Sequence, residues 1–145
     1  MGFLSRVRQR VAERREADPW FALPVGLTML LDAGVSLACQ PLAYRGDPSH
    51  AVEANSTWGR LLALGPAAFL LAFLAYAAVI AGLLLWLRGA LQKLLGVFVM
   101  LAHSYGAASW CHAELPERAW WWALMALFLV EASAFALWWR LRERG

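Results

Sequence analysis

Charge is scarce in this chain. Only 16% of its 145 residues are Asp, Glu, Lys or Arg, against 61% hydrophobic; average soluble domains carry about 25% charged residues. A soluble helical bundle would alternate polar faces with apolar stripes. The segment 66–87 has almost no polar face, Tyr76 being its one strongly polar side chain. Cysteine is scarce too. Cys39 and Cys111 are the two present, and neither stands in a CxxC motif of the kind that holds zinc or does redox chemistry. There is no HExxH, no GxSxG and no phosphate-binding glycine loop, so no recognisable enzyme signature exists. An internal repeat of the transporter kind is also missing. The basic residues form no single cluster, which removes nucleic acid from the expected partners.

What is present is four apolar runs, each long enough to cross a bilayer. They lie at 23–39, 66–87, 94–111 and 119–139. The first extends back to 19, because Asp18-Pro19 reads as a helix N-cap with proline at the first helical position. All nine tryptophans fall at or just beyond the ends of these runs, where indole rings meet the headgroup level. Of the 13 lysines and arginines, ten lie in segments that are cytoplasmic if the N-terminus is inside. Arg45, Arg60 and Arg118 are left for the other side. That bias follows the positive-inside rule and places both termini in the cytoplasm.

The expected fold is therefore an all-α membrane protein, a four-transmembrane-helix bundle over 19–145 with spans at about 19–39, 66–87, 94–111 and 119–139. Residues 1–18 form a basic cytoplasmic segment. Within it, 2–16 reads as a short amphipathic helix, with Phe3, Leu4, Val7 and Val11 on one face, suited to an anionic inner leaflet; the alternative is a solvated tail. A cleaved signal peptide is not expected, since the first apolar run starts late and contains an acid. Ser36-Leu37-Ala38-Cys39 is a poor lipidation box. The Ala, Arg, Leu and Trp-rich composition suggests a GC-rich bacterial gene, and with the four spans a bacterial inner membrane, so Asn55-Ser56-Thr57 is not read as a glycosylation site. The outer loop 40–65 holds a short helix capped by Asn55 or Ser56 and running to Leu64. Gly65-Pro66 interrupts it and makes the second span discontinuous. Glu53 and Asn55 are placed to turn inward over the bundle.

The main functional clue is a layer of ionisable residues. Asp32, His103 and Glu131 each lie about 9–11 residues from the cytoplasmic end of a different span, so at about 1.5 Å per residue their depths agree within one turn. A charge at mid-bilayer costs about 2.5–3.5 kcal/mol on insertion scales. Thr28, Asp32, Ser36 and Cys39 form one stripe on the first span. Gly96, Val99, Met100, His103, Gly106, Ala107 and Trp110 share a face of the third, whose small residues allow close approach. Tyr76 adds a polar group near the middle of the second. Asp32 and His103 are candidates for a proton relay, a metal site completed by Glu53, or the acid–base pair of an intramembrane enzyme. The alternative is a neutral hydrogen-bonded pair that fixes helix register. Glu131 faces either the interior or a contact between protomers. Cys39 and Cys111, at the outer ends of the first and third spans, are disulfide candidates, with two unrelated small residues as the alternative. His50 and His112 read as ordinary interfacial residues.

Leu30-Leu31-Asp32-Ala33 followed by Glu53-Ala54-Asn55 resembles the small bacterial and archaeal membrane proteins of the DUF5658 family, over roughly residues 28–110. The resemblance adds Asp32, Glu53 and Asn55 as family positions and implies no activity. Ser56 stands where the family has proline. The expected function is an accessory, scaffold or ligand-binding role around a buried polar site. Carriage or sensing of protons or a divalent metal is the alternative, and an intramembrane enzyme a further one. Expected partners are the lipid bilayer and a second copy or another membrane protein.

Overall fold

The computed structural model describes residues 18–144, and the amphipathic helix expected within 2–16 lies outside them. A 3-10 turn, Pro19–Phe21, leads into α1 (Ala22–Ala38); then come α2 (Ser56–Ala63), α3 (Pro66–Trp86), α4 (Gly89–Glu114) and α5 (Glu117–Arg144). Four stretches are long and apolar enough to cross a membrane: Pro19–Ala38, Pro66–Trp86, Gly89–Ala113 and Arg118–Glu143. Leu71, Phe98 and Trp122 are among many large apolar side chains left largely exposed on them. So broad an apolar surface suits hydrocarbon rather than water. The chain is an all-α, four-helix membrane protein.

α1 is the central helix. It packs along α4 and also touches α3 and α5, and its inward face, Phe21, Val25, Met29 and Ala33, is buried. The turn of chain through α3 makes α1 and α4 parallel, and two glycines on α4 set their separation. A Cβ on Gly96 would overlap the Phe21 ring, and one on Gly106 would stand 2.7 Å from Asp32 Oδ1. Lipid is as apolar as a leucine core, so helix association in it depends on close packing and hydrogen bonds rather than on the hydrophobic effect. A small-residue seam therefore has a direct energetic role here.

Hydrogen bonds tie the helices at both ends. At the end where α1 begins, the Asp18 backbone N–H donates to Gln92 Oε1 at 3.0 Å, while Gln92 Nε2 donates to Asp18 O at 2.8 Å and Leu84 O at 2.9 Å. Trp138 Nε1 donates to Asp18 Oδ2 at 3.0 Å, and Arg142 Nε lies 3.8 Å from the same oxygen. One cluster thus joins α1, α3, α4 and α5. At the opposite end, Gln40 Nε2 donates to Ser36 O and Val52 O, and Gln40 Oε1 accepts from Val52 N–H, each at 2.9 Å. Tyr44 is buried; its hydroxyl donates to Leu62 O at 3.2 Å, and burial pushes its phenol pKa up.

Several expectations change in detail. Asp18 occupies the N-cap position but makes no side-chain cap, because its carboxylate is used by Trp138 and Arg142. α4 starts five residues before the expected 94; Gly89, at φ 60°, makes the turn, and Gln92 and Lys93 are part of the helix. α5 likewise extends beyond 119–139 at both ends. Not every tryptophan sits at a lipid interface: Trp138 and Trp110 are buried. The loop 40–65 is more ordered than expected, with 3-10 turns at Leu42–Arg45 and Pro48–His50 before α2. Its predicted break stands where proline and glycine chemistry put it: Gly65 has φ 113°, and Pro66 opens α3.

The seam can be tested with a matched pair of glycines. A Cβ on Gly82, in α3, would meet nothing within 4 Å, so Gly82→Ala should leave unfolding in mild detergent unchanged or slightly improved. Gly96→Ala must displace Phe21 and should cost about 1–3 kcal/mol. Equal stabilities for the two variants would show that α1 and α4 are not closely packed.

Candidate functional site

Asp32 lies on α1 and His103 on the facing side of α4. Because Gly106 leaves room one turn further along, the carboxylate settles against α4, and His103 Nδ1 and Asp32 Oδ2 are 2.7 Å apart. The side chains are 11% (His103) and 18% (Asp32) exposed, so the pair is reached from outside rather than sealed. On the next residue of α4, the Ser104 hydroxyl donates to Glu131 Oε1 at 2.6 Å. The three ionisable residues of the sequence layer therefore do share one level, but they form two pairs. Glu131 belongs to a different recess of about 350 Å³, lined by Pro24, Thr28, Met100, Ser104, Phe128 and Phe135 among others.

A cavity of about 420 Å³ opens above the Asp32–His103 pair. α1 contributes Asp32, Ala33 and Ser36; α4 contributes Ala102, His103, Tyr105, Gly106, Ser109 and Trp110. The third wall is aromatic: Trp58 from α2, with Phe69, Phe73 and Tyr76 from α3. Trp58 meets Phe69 and Tyr76 edge-on, with ring centres 5.7 and 5.8 Å apart, and the Tyr76 ring stands 5.9 Å from that of His103. Glu53, Ala54 and Asn55 border the cavity at the loop end. Neither lysine nor arginine lines it.

Glu53 and Asn55 have local duties. Asn55 Oδ1 caps α2 by accepting from Thr57 N–H at 3.0 Å and Trp58 N–H at 3.3 Å, and Glu53 Oε1 accepts from Asn55 N–H at 2.9 Å. The pair thereby fixes the start of α2 and the position of Trp58. This corrects the expected metal set. Asp32, Glu53 and His103 share a cavity, but Glu53 is held at its rim. Among the described residues no three His, Cys, Asp or Glu side chains are grouped to hold one ion. Nor does a disulfide join Cys39 to Cys111. Cys39 closes the last turn of α1, its N–H bonded to Val35 O at 2.9 Å, and Cys111 is buried on α4. His50 faces its neighbour Asp47 and His112 packs on Trp120, so neither joins the cavity.

No family model matches this chain, and no curated protein or solved structure is similar to it at a detectable level. The site must therefore be read from its own chemistry. Asp32 Oδ1, His103 Nε2 and the Tyr76 hydroxyl have no protein hydrogen-bond partner among the described residues, yet no buried side-chain N or O there lacks one. These atoms are therefore not fully enclosed, and all three residues line the cavity. The Asp32–His103 contact orients the imidazole through Nδ1 and leaves Nε2 to face a ligand, a water or a proton.

Trp58, Tyr105, Ser109 and Trp110 line this site without having been candidates for it. Extending the third-span face one turn back past Gly96 would have found Gln92, whereas Tyr105 and Ser109 lie immediately beside Gly106 and Trp110 at the edge of that face. Trp58 had no such signal, since its place depends on the Gly65 break.

The pair makes a direct energetic prediction. Asp32→Asn and His103→Leu should each destabilise the protein in detergent by about 1–3 kcal/mol. The double variant should lose less than the sum, with a coupling of about 0.6 kcal/mol and at most about 1.7 kcal/mol, the average and maximum measured for hydrogen bonds between membrane helices. Strict additivity would mean that the two side chains do not interact.

Proposed function

We propose that this chain is a small multi-pass protein of a bacterial inner membrane that holds a small polar ligand above Asp32 and His103. The observation that supports this is the make-up of the cavity. Small-molecule sites pair apolar, largely aromatic walls with a few converging polar groups. Here six aromatic side chains, Tyr76 among them, line the cavity together with Asp32, Ser36 and His103. Asp32, Glu53 and Asn55, the residues behind the resemblance to DUF5658, all border this one space, which supports treating them as one site. The role is binding, in service of a partner membrane protein or a second copy, rather than turnover. A second reading, response to protons, draws on the 2.7 Å Asp32–His103 contact, since a proton taken up there changes the charge of the pair.

Arginine asymmetry supports a topology with both termini cytoplasmic and the cavity mouth, at Glu53 and Asn55, on the outer side. A periplasm-active reporter fused after Gly145 should then be silent, and strong activity would reverse the orientation.

Binding is tested by filling the cavity. Protein purified in native lipid should release a small molecule on denaturation, detected by mass spectrometry. Ala102→Trp, of equal thermal stability, should carry none. The same content in both proteins, or none in either together with no thermal shift from a metabolite library, would sink the reading.

A further inference from the structure

We propose that the ligand of this cavity is a small organic cation bearing an ammonium group; the inference rests on the ligand-binding reading above. Charge is the first argument. Asp32 lies at the floor and Glu53 at the rim, no lysine or arginine lines the space, and the one basic side chain, His103, is already engaged with Asp32. An anion entering would face two carboxylates with no cation free to receive it. A cation would meet the carboxylate of Asp32, a lining residue whose Oδ1 has no protein donor among the described residues and is not fully enclosed.

The walls are the second argument. Trp58, Tyr76 and Trp110 are the ring types whose faces attract ammonium groups, and Trp is the strongest of them. Trp58 is held edge-on against Phe69 and Tyr76 and fixed from behind by the Asn55 cap at the start of α2, so the aromatic wall is preformed. A substituted ammonium is more weakly hydrated than a metal ion and loses less on leaving water for such a wall. A bare metal ion would need several oxygen or nitrogen ligands at once, and the described residues supply no group of three acidic, His or Cys side chains. The volume, about 420 Å³, falls within the usual span of ligand pockets, about 300–1,000 Å³. The ammonium could be that of a free solute or of a phospholipid headgroup; the chemistry of recognition is the same.

Three near-isosteric probes isolate the charge: choline, its neutral carbon analogue 3,3-dimethylbutan-1-ol, and the anion 3,3-dimethylbutanoate. Each is titrated onto full-length protein in dodecyl maltoside, an uncharged and amine-free detergent, with calorimetry and tryptophan fluorescence as readouts. Choline should bind at least ten-fold more tightly than either analogue. Asp32→Asn should weaken choline ten-fold or more and leave the neutral analogue unchanged. Glu53→Gln, at the loop end and clear of the helix seam, should weaken choline by a smaller factor and serves if the Asp32 variant does not fold. Added phosphatidylethanolamine that competes with choline identifies a headgroup as the source, and lack of competition identifies a free solute; either outcome supports the ammonium. Equal or tighter binding of the neutral or anionic probe, abolished by Ala102→Trp, would overturn the cation while leaving the cavity as a binding site. No binding of any probe, with wild type and Ala102→Trp indistinguishable, would overturn both.

Discussion

The distance between α1 and α4 governs the rest of this molecule. Gly96 lets the Phe21 ring lie against the α4 backbone, and Gly106 lets the Asp32 carboxylate do the same a few turns on. With larger residues at these positions the helices would part. Asp32 and His103 would lose their 2.7 Å contact, and the Gln92 side chain could not span from α4 to both Asp18 and Leu84. In a solvent as apolar as the helices themselves, such contacts are a main source of specificity. Packing and polar chemistry are thus one constraint: the seam exists to be narrow, and its narrowness places the buried acid.

Much of this was legible in the sequence because the rules involved are local or periodic. The shared depth of Asp32, His103 and Glu131 follows from helix rise alone, and the structure ties all three at one level through the Asp32–His103 and Ser104–Glu131 pairs. The face Gly96, Val99, Met100, His103, Gly106, Ala107 and Trp110 follows from helical spacing and does turn toward α1. The Asn55 cap and the Gly65-Pro66 break follow from the chemistry of single residues. What stayed hidden depends on residues far apart in the chain. Asp18 looks like an N-cap until Trp138 arrives from the last helix, and nothing local says that its carboxylate is spoken for. Gln92 falls outside the apolar run that begins at 94, yet it is one of the most deeply buried side chains in the bundle. Glu53 could have turned toward Asp32 to complete a metal site; its own neighbour Asn55 holds it at the rim instead.

The two ends of the bundle differ in kind. Where α1 begins, Asp18, Gln92, Trp138 and Arg142 form a closed polar knot that engages all four long helices. At the other end, Gln40 and Tyr44 fasten the loop 40–55 down against α1 and α2, but the space between that loop and the Asp32–His103 pair is left open. Rigidity is concentrated on one side and room on the other. A binding site at mid-helix is compatible with a stable bundle for this reason: the helices are held from below, and the acid–imidazole pair adds a further tie while keeping Oδ1 and Nε2 unengaged.

The break at Gly65 has a geometric consequence. α2 and α3 contain 8 and 21 residues, together close to the 28 of α5, so an unbroken rod could have covered the same height. Instead the chain takes a lateral step, and the two pieces supply different panels of one wall, Trp58 from the first and Phe69, Phe73 and Tyr76 from the second. Steps of this kind are hazardous in hydrocarbon because they expose peptide groups. Here the Gly65 N–H bonds to Leu62 O at 2.8 Å, its carbonyl accepts from Phe69 N–H at 3.1 Å, and Pro66 has no N–H to satisfy. Helix length is thereby converted into interior volume, with the dielectric cost of a chain break at that residue cancelled by its own neighbours.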